Sequence, residues 1–132
     1  MSLFVDTSVW SLALRRDQQQ QDREVKLLHR ALSEGIAIFT TGLVLQELLQ
    51  GFQGAKASTQ IIERFDALPF IVPDKMDYIQ AAGIRSKCRR KGIQTGTIDA
   101  LLAQLRLRHE LELLTTDNDF NYISKIFPLN MV

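Results

Sequence analysis

Leu3-Phe4-Val5-Asp6-Thr7-Ser8-Val9-Trp10 is the stretch that decides the fold. A short apolar run ends in a carboxylate, and a Thr-Ser pair and an amphipathic segment follow at once. The pattern predicts a buried parallel strand with one acid at its C-terminal tip, then a helix start capped by a hydroxyl. In open α/β sheets ligands gather beyond the carboxyl ends of the strands, which puts Asp6 where chemistry is usually done. The plainer role for Asp6 is to cap the helix that follows it.

Downstream, apolar runs and helical periodicities keep alternating. A helix is expected over 8–16 (Val9, Leu12 and Ala13 on one face), then a loop or polar turn at the glutamine run 18–21. Val25, Leu27, Leu28, Ala31 and Leu32 mark a second helix that Gly35 stops. A second strand covers 36–39, a third helix opens at Thr41-Gly42 and runs to about Gly51, and a fourth spans 55–68 before Pro69. Residues 70–72 read as a third strand closed by Pro73, and Asp74 caps a helix from Lys75 to about Lys91. Thr97 can cap a helix over 98–109, residues 111–114 form a fourth strand, and 115–119 turn into a short helix or turn at 120–125. Residues 126–130 are a candidate fifth strand at the sheet edge, where Pro128 is tolerable. Strands alternating with helices imply an α/β fold, a three-layer α/β/α sandwich on a mostly parallel sheet of four to five strands.

The chain has 132 residues, 45% hydrophobic and 23% charged, which predicts one soluble domain covering 1–132. No run approaches the length of a membrane span and no signal pattern opens the chain, so the expected location is the cytoplasm. Cys88 is the one cysteine, which excludes an intramolecular disulfide and a thiolate metal cluster. The net charge of +1 conceals a local bias: residues 85–108 hold seven basic side chains around a single acid, Asp99. Such a patch suits a polyanionic substrate, with Arg85, Arg89 and Lys91 as candidate phosphate contacts; a solvated helix face is the bland alternative.

Three further acidic positions can be argued onto the edge that Asp6 occupies. Glu47 lies in Leu43-Val44-Leu45-Gln46-Glu47-Leu48-Leu49-Gln50, a segment apolar enough to predict burial on most of its circumference. A carboxylate there needs a partner or a cation. Asp99 follows Thr97 in the first turn of its helix, where an acid also favours the helix dipole. Asp117, with Asp119 beside it, follows the strand at 111–114, although Asp-Asn-Asp is equally ordinary turn chemistry. Two ionised carboxylates ~5 Å apart repel by ~3 kcal/mol at an effective dielectric of 20, so a cluster of four at neutral pH calls for protons or cations. Without cysteine, and with His29 and His109 on predicted outward faces, ligation would be all-oxygen, which selects Mg²⁺ or Mn²⁺, as one ion or two.

The segments Val5-Asp6-Thr7-Ser8-Val9-Trp10, Leu45-Gln46-Glu47-Leu48-Leu49-Gln50-Gly51, Thr97-Ile98-Asp99-Ala100-Leu101-Leu102-Ala103 and Leu114-Thr115-Thr116-Asp117-Asn118-Asp119-Phe120 together resemble the PIN-domain family, in particular its VapC-type toxin ribonucleases. The resemblance covers essentially the whole chain. It implies an α/β/α fold and a Mg²⁺- or Mn²⁺-dependent endoribonuclease. Its metal-binding acids fall on Asp6, Glu47, Asp99 and Asp117, and its auxiliary hydroxyl or acid falls on Thr116 or Asp119. It further implies a homodimer and a small antitoxin that folds against the toxin. A haloacid-dehalogenase-type phosphatase would want an acid two residues after Asp6, where Ser8 stands. A receiver domain would want acids before the end of the first strand and a phosphorylatable aspartate after the third; Pro73-Asp74 does not supply it. The remaining alternative is a non-catalytic RNA-binding or scaffold module.

Overall fold

The computed structural model describes residues 2–15 and 22–132; the glutamine run and Arg16 lie outside the described residues. The order of elements is β1 (Ser2–Val5), α1 (Thr7–Leu14), α2 (Arg23–Glu34), β2 (Ala37–Thr41), α3 (Gly42–Gly51), α4 (Ala55–Asp66), β3 (Phe70–Ile71), α5 (Lys75–Arg90), α6 (Thr97–His109), β4 (Glu112–Leu114) and α7 (Asp119–Ser124). Four strands form one parallel sheet in the order β3-β2-β1-β4. β1 is central because its side chains are apolar without alternation: Phe4 and Val5 are fully buried, which only a strand covered on both faces allows. The helices pack mainly in two groups, α1 with α2 and α3 and then α3 with α4, and α5 with α6 and then α6 with α7.

Register decides where the chemistry falls. Val5 of β1 lies beside Leu114 of β4, and the Asp6 N–H donates to the Leu114 carbonyl at 2.9 Å. Asp6 and Thr115 therefore leave the sheet side by side. The core beneath them is aromatic and aliphatic: Trp10, 1% exposed, meets Phe65 with ring centroids 5.0 Å apart, and Phe120 and Leu114 are fully buried. None of the helices among the described residues is long and apolar enough to cross a membrane.

Several sequence expectations need correction. The candidate strand at 126–130 does not form; one isolated parallel bridge joins Leu113 to Met131 instead. Pro128 has no N–H to give a ladder, its carbonyl is taken by Arg106 Nη1 at 3.2 Å, and Asn130 turns to φ 51°. Among the described residues the sheet accordingly has four strands. Thr97 does not cap α6: it is the first helical residue, and Gly96 is the N-cap, with no side-chain cap hydrogen bond. Nor does a hydroxyl cap α1, because the Asp6 carboxylate does so itself. Asp74 caps α5 as expected, closing a reciprocal capping box with Asp77.

Candidate active site

Three hydroxyls and five carboxylates meet where β1, β4, α3 and α6 converge. Asp6, 5% exposed, carries the most constrained of the acids. Its Oδ2 accepts from the Ser8 N–H at 3.3 Å, the Ser8 hydroxyl at 2.8 Å and the Thr115 hydroxyl at 2.9 Å. No hydrogen bond to Oδ1 is formed among the described residues, so one oxygen of Asp6 is held and the other carries no hydrogen bond. The ladder continues outward: the Asp117 N–H donates to Thr115 Oγ1 at 2.9 Å, and the Asp119 N–H donates to Asp117 Oδ1 at 2.9 Å. The loop after β4 is thereby tied, bond by bond, to the tip of β1.

Glu47 arrives from the second turn of α3, and its Oε1 accepts from the Thr7 hydroxyl at 2.8 Å. Between Leu43 and Gln50, α3 is buried or partly buried on every side but the Gln46–Gln50 stripe, as its sequence predicts. Gln46 and Gln50 are exposed, Glu47 and three of the leucines are partly buried, and only Val44 and Leu48 lie fully inside. Glu47 is itself partly buried, and its hydrogen-bond partner is a hydroxyl rather than an arginine.

Asp99 enters from the first turn of α6. Carboxylate oxygens of Asp99, Asp117 and Asp119 lie within 4.8 Å of one another. Burial, and then the charges of Asp117, Asp6, Asp119 and Glu47 in that order, push the Asp99 carboxyl up to about 7. All five sequence-nominated acids therefore share one electrostatic field centred on Asp99. Every donor in this field is oxygen; His29 and His109 are exposed on α2 and α6.

Of the two auxiliary positions that the resemblance implies, Asp119 has a carboxylate oxygen within 4.8 Å of those of Asp99 and Asp117, and Thr116 lies beside the hydrogen-bond ladder. Thr116 is exposed and joins the ladder through its backbone N–H, which donates to Ser8 Oγ at 3.0 Å; the hydroxyl that reaches Asp6 belongs to Thr115. Ser8, Thr115 and Thr7 are positioning residues that sequence reasoning missed. Their signal was visible, since hydroxyl residues flank the acid at both strand tips, but they read as helix caps and turn formers.

The basic nominees divide. Arg85 and Arg89 line a cavity of about 640 Å³ together with Gln94, Thr95, Gly96 and Asp119, whereas Lys91 lies outside its wall. Asp119 belongs both to this cavity and to the acid cluster, so the two are contiguous.

The chain belongs to the PIN-domain family, whose model matches residues 3–126. It is similar to the ribonuclease VapC11 of Mycobacterium tuberculosis and to the VapC ribonuclease Mb1587 of Mycobacterium bovis, each 32% identical over 130 residues that cover 96% of this chain and 95% of the relative. Among solved structures it resembles VapBC2 from Rickettsia felis bound to a promoter DNA fragment (TM-score 0.75, 17% identity, covering 99% and 96% of the two chains). It also resembles VapC20 from Mycobacterium tuberculosis, a toxin that cleaves the sarcin-ricin loop (TM-score 0.67, 18% identity, covering 90% and 92%).

Proposed function

We propose that this protein is a divalent-metal-dependent endoribonuclease and the toxin of a toxin–antitoxin pair. The observation that carries the reading is the convergence of Asp6, Glu47, Asp99, Asp117 and Asp119 on one sheet edge, with Asp99 driven up to about 7 by burial and by its acidic neighbours. Repulsion of that size, in an all-oxygen site beside a basic cavity, fits a hard cation such as Mg²⁺ or Mn²⁺ and a polyanionic substrate. The full-length similarity to VapC ribonucleases supports RNA as that substrate. The resemblance to a VapBC complex supports an antitoxin partner.

Asp6, Glu47, Asp99 and Asp117 would hold the cation, with Asp119 at the rim. A bound divalent ion supplies Lewis acidity toward a phosphate oxygen and makes a hydroxide nucleophile accessible near neutral pH. The protein's own contribution is positional. Ser8 and Thr115 hold Asp6 through Oδ2, so Oδ1 would be the oxygen offered to a cation, and the Thr7 hydroxyl holds Glu47 through Oε1. Preorganised ligands lower the cost of reorganisation as charge develops on the phosphate. The deciding experiment is cleavage of RNA by the purified protein in Mg²⁺, Mn²⁺ and EDTA, with Asp6→Asn and Glu47→Gln as controls. Metal-dependent cleavage that both variants lose supports the reading. EDTA-resistant cleavage rejects the metal, and RNA binding with no cleavage under any condition favours a scaffold module.

A further inference from the structure

The cavity beside the acid cluster has the character of an anion site. Arg85 and Arg89 project into its wall from α5, and neither forms an ion pair among the described residues. Arg85 Nε donates to the Thr95 carbonyl at 2.7 Å, which orients the guanidinium while its terminal nitrogens keep no hydrogen bond among the described residues. Residues 93–96 of the wall lead into α6, a helix of 13 residues whose N-cap is Gly96 and whose first turn receives no side-chain cap among the described residues. First-turn N–H groups left uncapped carry a partial positive charge and attract anions. The third feature is an orphan: Thr95 lines the cavity, is 6% exposed, and its hydroxyl has no hydrogen-bond partner among the described residues. Two guanidiniums without an ion pair, the entry to an uncapped helix and the residue that carries the unpartnered hydroxyl border one space. Asp119 stands at the border with the acid cluster and repels an anion, which confines it to the arginine side.

We propose that this cavity is a subsite for the phosphate neighbouring the scissile phosphodiester, bound by Arg85, Arg89, Thr95 and the first turn of α6. The inference rests on the ribonuclease reading and deepens it: the enzyme reads the backbone of a polynucleotide at two consecutive phosphates, one at the acids and one in the cavity. Lys91, outside the wall, is not part of it.

The test uses a substrate RNA whose cleavage site has been mapped, resynthesised with a neutral methylphosphonate at the linkage on either side of that site. In the wild-type protein one of the two substitutions should lower kcat/KM roughly ten- to hundredfold, the range expected for losing charge-assisted hydrogen bonds. In Arg85→Gln/Arg89→Gln the same substitution should have no further effect, while Lys91→Ala should keep the wild-type sensitivity. Gly96→Asp guards against a mere folding defect. A Cβ there meets nothing within 4 Å, and aspartate is a better N-cap than glycine, so the melting temperature should hold or rise. Its carboxylate would nevertheless fill the anion site, and sensitivity to the methylphosphonate should vanish. If RNA is cleaved and both methylphosphonates are tolerated, or if the Arg85/Arg89 variant or Gly96→Asp stays as sensitive as wild type, the subsite is wrong and the ribonuclease reading stands. If no RNA is cleaved at all, both fall.

Discussion

Replacing Asp99 by Asn should make the metal-free protein more stable, and increasingly so as pH rises. Asp99 is raised from 3.8 to about 7 by burial and by Asp117, Asp6, Asp119 and Glu47. An acid shifted upward on folding binds its proton more tightly in the native state than in the unfolded chain. Stability is therefore lost as pH climbs from the unfolded value through the folded one, and the loss is complete above about 7. The interval corresponds to at most roughly 4 kcal/mol at 1.36 kcal/mol per decade. Asp99 is only partly buried and the acids titrate as a group, so about half of that is realistic. Of the remainder, about 1–2 kcal/mol falls between pH 5 and pH 8, which for a domain of this size is roughly 4–8 °C in melting temperature.

The assay is thermal unfolding of wild type and Asp99→Asn in EDTA across that pH range. The variant should melt close to wild type at pH 5 and clearly above it at pH 8. Subtracting the two profiles removes the groups that do not interact with Asp99 and leaves Asp99 with the acids coupled to it. Parallel profiles, or a variant that melts lower at pH 8, would refute the claim that like charge is stored at Asp99. Millimolar Mg²⁺ should narrow the gap at pH 8, because a cation relieves the same repulsion in wild type.

Thr115→Val removes a donor to Asp6 and the acceptor of the Asp117 N–H, and should cost about 1–2 kcal/mol in chemical denaturation, with Thr115→Ser restoring most of it. Glu47→Gln keeps an oxygen for the Thr7 hydroxyl, so its metal-free stability should stay within about 0.5 kcal/mol of wild type. Its melting temperature should nonetheless rise far less on adding Mn²⁺, as differential scanning would record. Burial alone would raise the Asp77 carboxyl, but hydrogen bonds from the Asp74 backbone, Gln104 and Arg108, together with the Arg108 charge, hold it below the ordinary aspartate value. Its stabilising contribution is present above pH 3.8 and is lost as pH falls through the depressed value. Arg108→Ala should therefore cost about 2 kcal/mol at neutral pH, with the gap to wild type closing below about pH 4.

The strands were legible because their chemistry is unambiguous: Leu3 to Val5 has no polar residue, and a run that apolar ending in Asp6 leaves little choice but a central parallel strand. The helices were legible through Gly35 and the Asp74 cap, each of which does locally what its residue type does best. The failures share a cause. Thr97 as a cap and residues 126–130 as a strand follow from local propensity, and in each case a distant partner decides otherwise. Gly96 rather than Thr97 becomes the N-cap of α6 where the loop before it is tethered by Arg85. Thr115 rather than Thr116 faces Asp6 because the β1–β4 register places Leu114 opposite Val5. Arg106, inside the core, takes the Pro128 carbonyl that an edge strand would have offered to a neighbour. Register and tertiary tethers are not encoded in any window short enough to read by eye.

Asp6 illustrates why the local and the functional readings of an acid need not compete. As a helix cap it needs only one oxygen, and Ser8 N–H binds that one. The hydroxyls of Ser8 and Thr115 bind the same oxygen, so capping α1, closing the β4 loop and orienting the carboxylate are a single arrangement. A cap alone would not require a hydroxyl from a segment more than a hundred residues away. A cation site alone would not require the acid to begin a helix. The strand tip satisfies both because the Ser8 N–H and the hydroxyls of Ser8 and Thr115 share Oδ2, leaving Oδ1, which carries no hydrogen bond among the described residues, as the oxygen on which cation chemistry is possible. The acid most easily explained by local structure is thereby also the one that local structure best prepares for that chemistry.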